Sequence, residues 1–202
     1  HPGIARDLAL TRHGLKLAAK NLTTTALATD SNHLTISGNV ISGAGVSTEE
    51  QQAFSSLMND ATAFAEVLRL LFDHPPIDIF NPDLADKWTA VKAGWGLRFG
   101  LGKDRLREFL RIVGMNMYDH LNDNLEHDLL KGALALDSVL GSHFGARSSG
   151  NVVAFLSRLT MPSTDYMGLP EGGMGSVSAA IAEAAKAAGV EIRTGASVSS
   201  IN

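Results

Sequence analysis

Residues 47–72 read STEEQQAFSSLMNDATAFAEVLRLLF and predict one long amphipathic helix. Ser47 can accept the backbone amide of Glu50, and the Glu50 side chain can reach back, which is the capping box found where helices begin. Apolar side chains then recur at three- and four-residue steps, at Phe54, Leu57, Met58, Ala61, Phe64, Ala65, Leu68, Leu71 and Phe72. Because Pro75-Pro76 cannot continue a helix, we predict that this one starts at Thr48 and ends before Pro75.

Further helices are predicted between residues 81 and 159. Asn81-Pro82-Asp83 is a start signal, since proline suits the first helical turn. The next apolar positions keep helical spacing: Leu84, Trp88, Val91, Trp95, Leu106, Phe109, Leu110, Val113, Met117, Leu121, Leu125, Leu129, Leu130, Leu134 and Val139. The aromatic and methionine side chains are interpreted as a bundle core, with the wall of a cavity for an apolar substrate as the alternative: Trp88, Trp95, Phe99, Phe109, Met115 and Met117.

The two ends of the chain show a different pattern. Short alternations within residues 4–37 predict two or three strands. Near the other end, an alanine-rich helix is predicted over 176–188 with Gly189 as its terminating residue, followed by strands at 190–193 and 197–201. The predicted fold class is therefore α+β, a helix-rich domain with a small mixed or antiparallel sheet plus a C-terminal helix-strand-strand unit.

Composition excludes several classes of protein. The chain has 202 residues, 45% of them hydrophobic, and a formal net charge of −4, which argues against disorder and against a nucleic-acid-binding surface. Without cysteine it has no disulfide, thiolate metal site or cysteine nucleophile, so any redox chemistry requires a cofactor. No apolar run reaches the roughly 18 residues of a membrane span. Because no methionine precedes His1, we expect a piece of a longer chain or a chain trimmed at its start.

Two glycine clusters are candidate ligand sites. Gly43-Ala44-Gly45 precedes the long helix, but Thr48 occupies the third glycine position of a dinucleotide fingerprint, so a plain turn is predicted. Gly172-Gly173-Met174-Gly175 precedes the alanine-rich helix, where free backbone amides can face an anion or the edge of a flavin. This second cluster is the candidate ligand contact, with an ordinary turn as the alternative.

Two histidines are candidate metal ligands. His120 and His127 are seven residues apart, which would place them on one helix face, and Asp119, Asp123, Glu126 and Asp128 are nearby. The pair spaced by four residues that zinc proteases use is absent. We predict an acidic, solvated helix face and no metal site. No Gly-x-Ser-x-Gly motif occurs, and no catalytic residue is assigned.

Several segments together resemble a known family. The C-terminal part reads LPEGGMG at 169–175, a helix through 179–185 and GVEIRTGASVSSI at 189–201. This order is similar to the signature P-x-GGMG, helix, G-x-E-I-x-x-x-x-x-V-x-x-I of phytoene desaturase-like flavoproteins. That family belongs to the flavin amine oxidase superfamily. Two further segments are similar to that family: Asp7-Leu8 with Arg12-His13-Gly14-Leu15, and LEHDLLKGALALDSVLG at 125–141. The resemblance runs from residue 2 to residue 201. The chain departs from the family at the loop 146–150, which lacks both prolines, and at 157–161, where the usual apolar run reads SRLTM, so substrate identity is not carried over.

The resemblance implies a central fragment of an FAD-dependent enzyme. Residues 1–168 would form the substrate-binding domain, and 169–202 would carry the GGMG loop, helix and strands back into the FAD domain. The implied cofactor contacts are Gly172, Gly173, Met174, Gly175 and the backbone of Val198, which would lie at the adenine end of FAD. The Rossmann Gly-x-Gly-x-x-Gly and the C-terminal flavin segment of the family lie outside this sequence.

The leading hypothesis is a part of an FAD-dependent dehydrogenase or desaturase that acts on an apolar small molecule. The fragment alone is expected to be inactive and to lack FAD, because its partners include the missing FAD-binding segments of the same chain. A non-catalytic helical module that binds lipid or protein is the alternative. The expected location is the cytoplasm; weak peripheral membrane association and homo-oligomer formation are left open, although no basic amphipathic helix was recognised.

Overall fold

The computed structural model describes residues 2–20, 22–43, 45–72, 76, 78, 80–160 and 168–201. In chain order the elements are α1 (Pro2–Asp7), β1 (Leu17–Ala19), β2 (Thr24–Ala26), β3 (Leu34–Ser37), β4 (Val40–Gly43), α2 (Thr48–Phe72), α3 (Leu84–Trp95), a π-helix (Gly96–Gly100), α4 (Gly102–Ile112), α5 (Met117–Asn122), α6 (Asp128–Val139), α7 (Asn151–Leu159), β5 (Leu169–Pro170) and α8 (Met174–Ala187). These helices and small antiparallel sheets confirm the predicted α+β class. None of the helices in these ranges has the length and hydropathy that a bilayer crossing requires.

The chain forms two compact units, which we call the terminal unit (residues 1–22 and 162–202) and the helical unit (residues 23–161). The first 22 residues group with the C-terminal stretch because β1 pairs antiparallel with β5, with Leu17 opposite Pro170. The two units meet at 22/23 and at 161/162, whereas the predicted domain boundary is at 168/169. The assignment of substrate-binding and FAD domains to the chain stays a prediction.

Helix α2 is the centre of the helical unit. It starts at Thr48 and ends at Phe72, as its pattern predicts, and Ser47 Oγ accepts the Glu50 amide at 3.1 Å. Pro75, the predicted stop, lies outside the described residues. Its apolar face packs with α4–α7 and the β3–β4 hairpin around a core of Leu34, Phe54, Phe64, Ile112, Met117, Leu121, Leu130, Val152 and Phe155. Burial of each large apolar side chain stabilises the unit by about 1.5–3 kcal/mol.

Strands β2, β3 and β4 form an antiparallel meander beside α2. Gln51, in the first turn of α2, accepts the Ile41 amide at 2.8 Å and donates to the Asn39 carbonyl at 3.0 Å, which fixes β4 against the helix. Gly43 ends β4 with φ of +143°, and a Cβ there would collide with the His33 carbonyl. Glycine is therefore needed at position 43 because the backbone of β3 lies too close for a side chain. Ala44, in the predicted turn, lies outside the described residues.

The predicted core role of the α3 aromatics is wrong. Phe109 and Met117 are buried and Met115 is half-buried, as expected, whereas Trp88, Trp95 and Phe99 are exposed. Helix α3 packs inward through buried Ala93, and Leu97 in the π-helix reaches the core. Periodicity identifies one apolar face of a helix, but it does not specify what that face contacts.

The terminal unit packs α1 and its following turn against α8, through Ala5, Leu10, Leu15, Ala180 and Ala184. The start of the chain is helical, so the predicted strands of 4–37 are β1, β2 and β3 only. Helix α8 ends as predicted: the Val190 amide donates to Ala185 O and the Gly189 amide to Lys186 O, with Gly189 at φ of +85°.

The strands predicted at 190–193 and 197–201 are not formed. Both segments are irregular and exposed, and no described strand is hydrogen-bonded to either. An isolated strand leaves its backbone groups without partners, so alternation alone does not produce one.

Candidate functional site

The glycine cluster at 172–175 forms a tight turn between β5 and α8. The Glu171 amide donates to Lys16 O at 2.9 Å, and the Gly173 amide donates to Pro170 O at 3.0 Å. Gly172 and Gly173 have φ of +82° and +76°. Gly173 combines its positive φ with ψ of −168°, a region that essentially only glycine adopts, and the positive φ of Gly172 also favours glycine, which explains why two glycines stand here.

The turn leads directly into the N-terminus of α8. Gly173 is the N-cap and provides no capping side chain, and the first turn of the helix has no acidic residue. The amides of Met174 and Gly175 have no acceptor within the ranges that the structure describes. Free amides and the positive end of the helix dipole favour an anion or a carbonyl acceptor at this position.

The space in front of this turn is open. A Cβ built on Gly173 or Gly175 meets no atom within 4 Å, and the Met174 side chain is 72% exposed. The turn is positioned by Gly168, whose missing side chain lets the chain pass close to the Ala19 carbonyl of β1. The result is a backbone surface at Gly173 and Gly175 with open space in front of it.

Val198, the fifth predicted cofactor contact, lies outside the glycine turn. It lies in the irregular segment after α8, is 77% exposed, and belongs to neither core cluster of the described residues. Four of the five predicted residues are therefore adjacent, as sequence proximity requires. Their relation to a cofactor stays a prediction.

The predicted shared helix face of His120 and His127 is wrong. Helix α5 ends at Asn122, and His127 is the N-cap of α6, so the two histidines lie on different helices. The break is stabilised by Asn124, whose side-chain amide donates to His120 O at 2.8 Å. The described residues contain no cluster of three potential metal-ligating His, Asp or Glu side chains.

His120 is buried, not solvated. Its side chain borders a cavity of about 30 Å³ together with Asp60, Phe64, Glu108 and Asn124. Its Nδ1 atom has no hydrogen-bond partner in the described part of the chain. Burial lowers the pKa of His120, and the carboxylates of Glu108 and Asp123 only partly oppose this effect.

Sequence reasoning missed the role of Glu50. Its side chain does not complete the capping box; instead its buried carboxylate accepts the Glu126 amide at 3.2 Å and the His127 amide at 3.0 Å, at the start of α6. A carboxylate at a helix N-terminus is favourable, and this one bridges elements 76 residues apart. No signal in the sequence could have linked these positions.

A second cavity lies between α5 and α6. Its volume is about 240 Å³, and Tyr118, Leu121, Asn122, Lys131 and Ala135 contribute to its lining. The Arg147 guanidinium stacks 3.6 Å from the centre of the Tyr118 ring, beside the cavity. This volume is below the roughly 300 Å³ at which small-molecule sites begin, and none of the predicted Trp or Met wall residues lines it.

No family model and no solved structure matches this chain. It is 27% identical over 220 residues to a rat protein named pyridine nucleotide-disulfide oxidoreductase domain-containing protein 2, a match that covers 99% of this chain and 38% of the rat protein. Uncharacterized proteins of Mycobacterium tuberculosis and Mycobacterium bovis are 39% identical over 74 residues, which cover 36% of this chain and 14% of each. The chain thus spans a minor part of the length of these curated relatives.

Proposed function

We propose that this chain is part of an oxidoreductase that uses FAD, and that Gly172, Gly173, Met174 and Gly175 contact the cofactor. The observation that carries the proposal is the glycine turn that leads into the uncapped N-terminus of α8. Similarity along almost the whole chain to a rat protein named for an oxidoreductase domain supports the class of reaction. The phytoene desaturase-like resemblance of the same segments supports the finer assignment.

The residues present fit a flavin cofactor. The unbonded amides of Met174 and Gly175 can donate to an acceptor on FAD, and the two glycines with positive φ allow backbone approach without a side chain. The exposed Met174 side chain can pack on a flat ring. We propose the Val198 backbone as a further contact, at the adenine end.

Bound FAD would supply the hydride acceptor, while this part of the protein would orient the cofactor and the substrate. The chain contains no cysteine, so a redox-active disulfide cannot come from residues 1–202. We propose an apolar substrate for the whole protein and no turnover for residues 1–202 alone, because the resemblance assigns the main FAD-binding motif to other segments.

The test uses the whole protein that contains this chain, with Gly173→Ala compared with Gly189→Ala. Both substitutions place a Cβ at positive φ in open space, one at each end of α8, and thermal unfolding of both variants measures how much each one destabilises the protein. Only Gly173→Ala should weaken FAD affinity, by about tenfold or more, as measured by equilibrium titration of flavin fluorescence. Equal affinities would refute the site. A whole protein that binds no flavin would refute the function and favour the non-catalytic module.

A further inference from the structure

The cavity between α5 and α6 is large enough for one six-membered ring. Helix α5 contributes Tyr118 and buried Leu121 to its lining, and α6 contributes Gly132 and Ala135. Its volume of about 240 Å³ is too small for a drug-sized molecule, but a cavity of about 150 Å³ already holds benzene. Because exposed Gly132 lines the cavity, a ligand can enter it from solvent.

Gly132 is a glycine that the fold itself does not require. It lies inside α6, where glycine is the least favourable residue after proline because it loses the most backbone freedom on folding. Its φ is not positive and a Cβ built on it meets no atom within 4 Å, so neither backbone conformation nor close packing explains its presence. The missing side chain instead leaves the wall of the cavity open. A ligand that approaches the backbone of α6 would explain this glycine.

Lys131 brings a positive charge to the lining of the cavity. Its Nζ lies 3.0 Å from Asn122 Oδ1 on α5 and 2.8 Å from Asp128 Oδ1, and its side chain is only 20% exposed. These two contacts leave one of its three N–H groups for another acceptor. The Asp128 side chain is 95% exposed, so solvent screens its negative charge. The lining can therefore receive an anionic group at Lys131.

Arg147 supplies a second cation beside the cavity. Its guanidinium stacks 3.6 Å from the centre of the Tyr118 ring, and in the described part of the chain none of its N–H groups has an acceptor. The Tyr118 amide donates to Ala146 O at 3.0 Å, which holds residue 147 next to α5. A stacked guanidinium keeps its in-plane N–H groups available, and these match the two oxygens of a carboxylate.

We infer that the cavity between α5 and α6 binds a small aromatic carboxylate. The ring lies against Tyr118 and the open backbone of Gly132, where a flat group fits, and the carboxylate accepts hydrogen bonds from Lys131 and Arg147. The inference is independent of the FAD proposal, since all of these residues belong to the helical unit.

The test measures the binding of benzoate to the whole protein that contains this chain, by NMR titration of the benzoate signals. Benzamide has the same ring without the charge and should bind about tenfold more weakly, because it loses charge-assisted hydrogen bonds. Lys131→Met and Arg147→Gln should each weaken benzoate binding about fivefold or more and leave benzamide binding nearly unchanged. Equal affinities for the two probes in the parent protein, or no detectable binding of benzoate, would overturn the inference.

Gly132→Ala and its control Gly94→Ala distinguish an effect on binding from an effect on folding. Both positions are helical glycines at which a Cβ meets no atom within 4 Å, so both substitutions should raise the melting temperature. Only Gly132→Ala adds a methyl group at the cavity, and it should weaken the binding of both probes by about tenfold or more. Benzoate affinity that Gly132→Ala leaves unchanged, or that Gly94→Ala lowers equally, would contradict the site.

Discussion

The carboxylate of Glu50 accepts the backbone amide of His127 at 3.0 Å and so caps α6 from the first turn of α2. The contact satisfies amides that the start of α6 would otherwise leave unbonded, and it places a negative charge at the positive end of the helix dipole. One buried side chain on α2 therefore fixes the position of the N-terminus of α6.

We expect Glu50→Ala to lower the free energy of unfolding by about 1.5–3 kcal/mol, because two amides lose a charged acceptor. Glu49→Ala is the matched control, since Glu49 is exposed in the same helical turn. Urea denaturation followed by circular dichroism measures both. Equal losses for the two variants would show that Glu50 acts only through helix propensity.

Asn151 is the second buried polar connection of the helical unit. Its Oδ1 accepts the Met117 amide at 2.6 Å and its Nδ2 donates to Gly145 O at 2.8 Å. We expect Asn151→Leu to cost at least about 2 kcal/mol, because the Met117 amide loses a buried hydrogen bond and the Gly145 carbonyl loses a partly buried one. Asn122→Leu, on the exposed Lys131 contact, should cost less than about 1 kcal/mol in the same denaturation experiment. A comparable loss in both variants would contradict the buried role.

The burial of His120 predicts that the free energy of unfolding depends on pH. Burial lowers its pKa in the folded state below the ordinary value of 6.5, so just below pH 6.5 the unfolded chain binds more protons than the folded one. The free energy of unfolding should therefore fall as pH decreases through this region, towards the lowered pKa of His120 in the folded state. Stability curves of the parent chain and His120→Gln should converge as pH falls.

The control for this prediction is His143→Gln, at an exposed position in the same unit. It reports the general effect of replacing a histidine by a neutral amide. If the difference between the parent chain and His120→Gln stayed constant from pH 8 to pH 5, or grew as pH fell, the proposed linkage would be wrong.

A comparison of Gly43 with Gly38 distinguishes the effect of a steric clash from the effect of a positive φ. Both have positive φ, but a Cβ at Gly43 would collide with the His33 carbonyl, whereas one at Gly38 meets nothing within 4 Å. Gly43→Ala should therefore lower the free energy of unfolding by more than Gly38→Ala, by about 1–3 kcal/mol in addition. Thermal unfolding of the two variants side by side measures the difference. Equal melting temperatures would exclude the close approach.

Features with local causes were predictable from the sequence. The start of α2 depends on Ser47, while α8 terminates at Gly189, where the Gly189 amide donates to Lys186 O and the Val190 amide donates to Ala185 O. The glycine turn at 172–175 was also recognised from adjacent residues. In each case the interacting groups are a few residues apart, so their spacing alone specifies the geometry.

Features that depend on distant partners were not predictable. The aromatic spacing of α3 was the same whether that face met the core or solvent, and the alternation at 190–201 could not supply a neighbouring strand. The sequence predicted that Glu50 completes a capping box, whereas in the folded chain its carboxylate accepts amides at the start of α6. Short-range hydrogen bonding and helical periodicity are encoded in neighbouring residues, whereas burial and pairing arise from contacts between segments far apart in the chain. Helix ends and turns with local signals could thus be derived residue by residue, whereas strand pairing and the exposed and buried faces of the helices followed from packing.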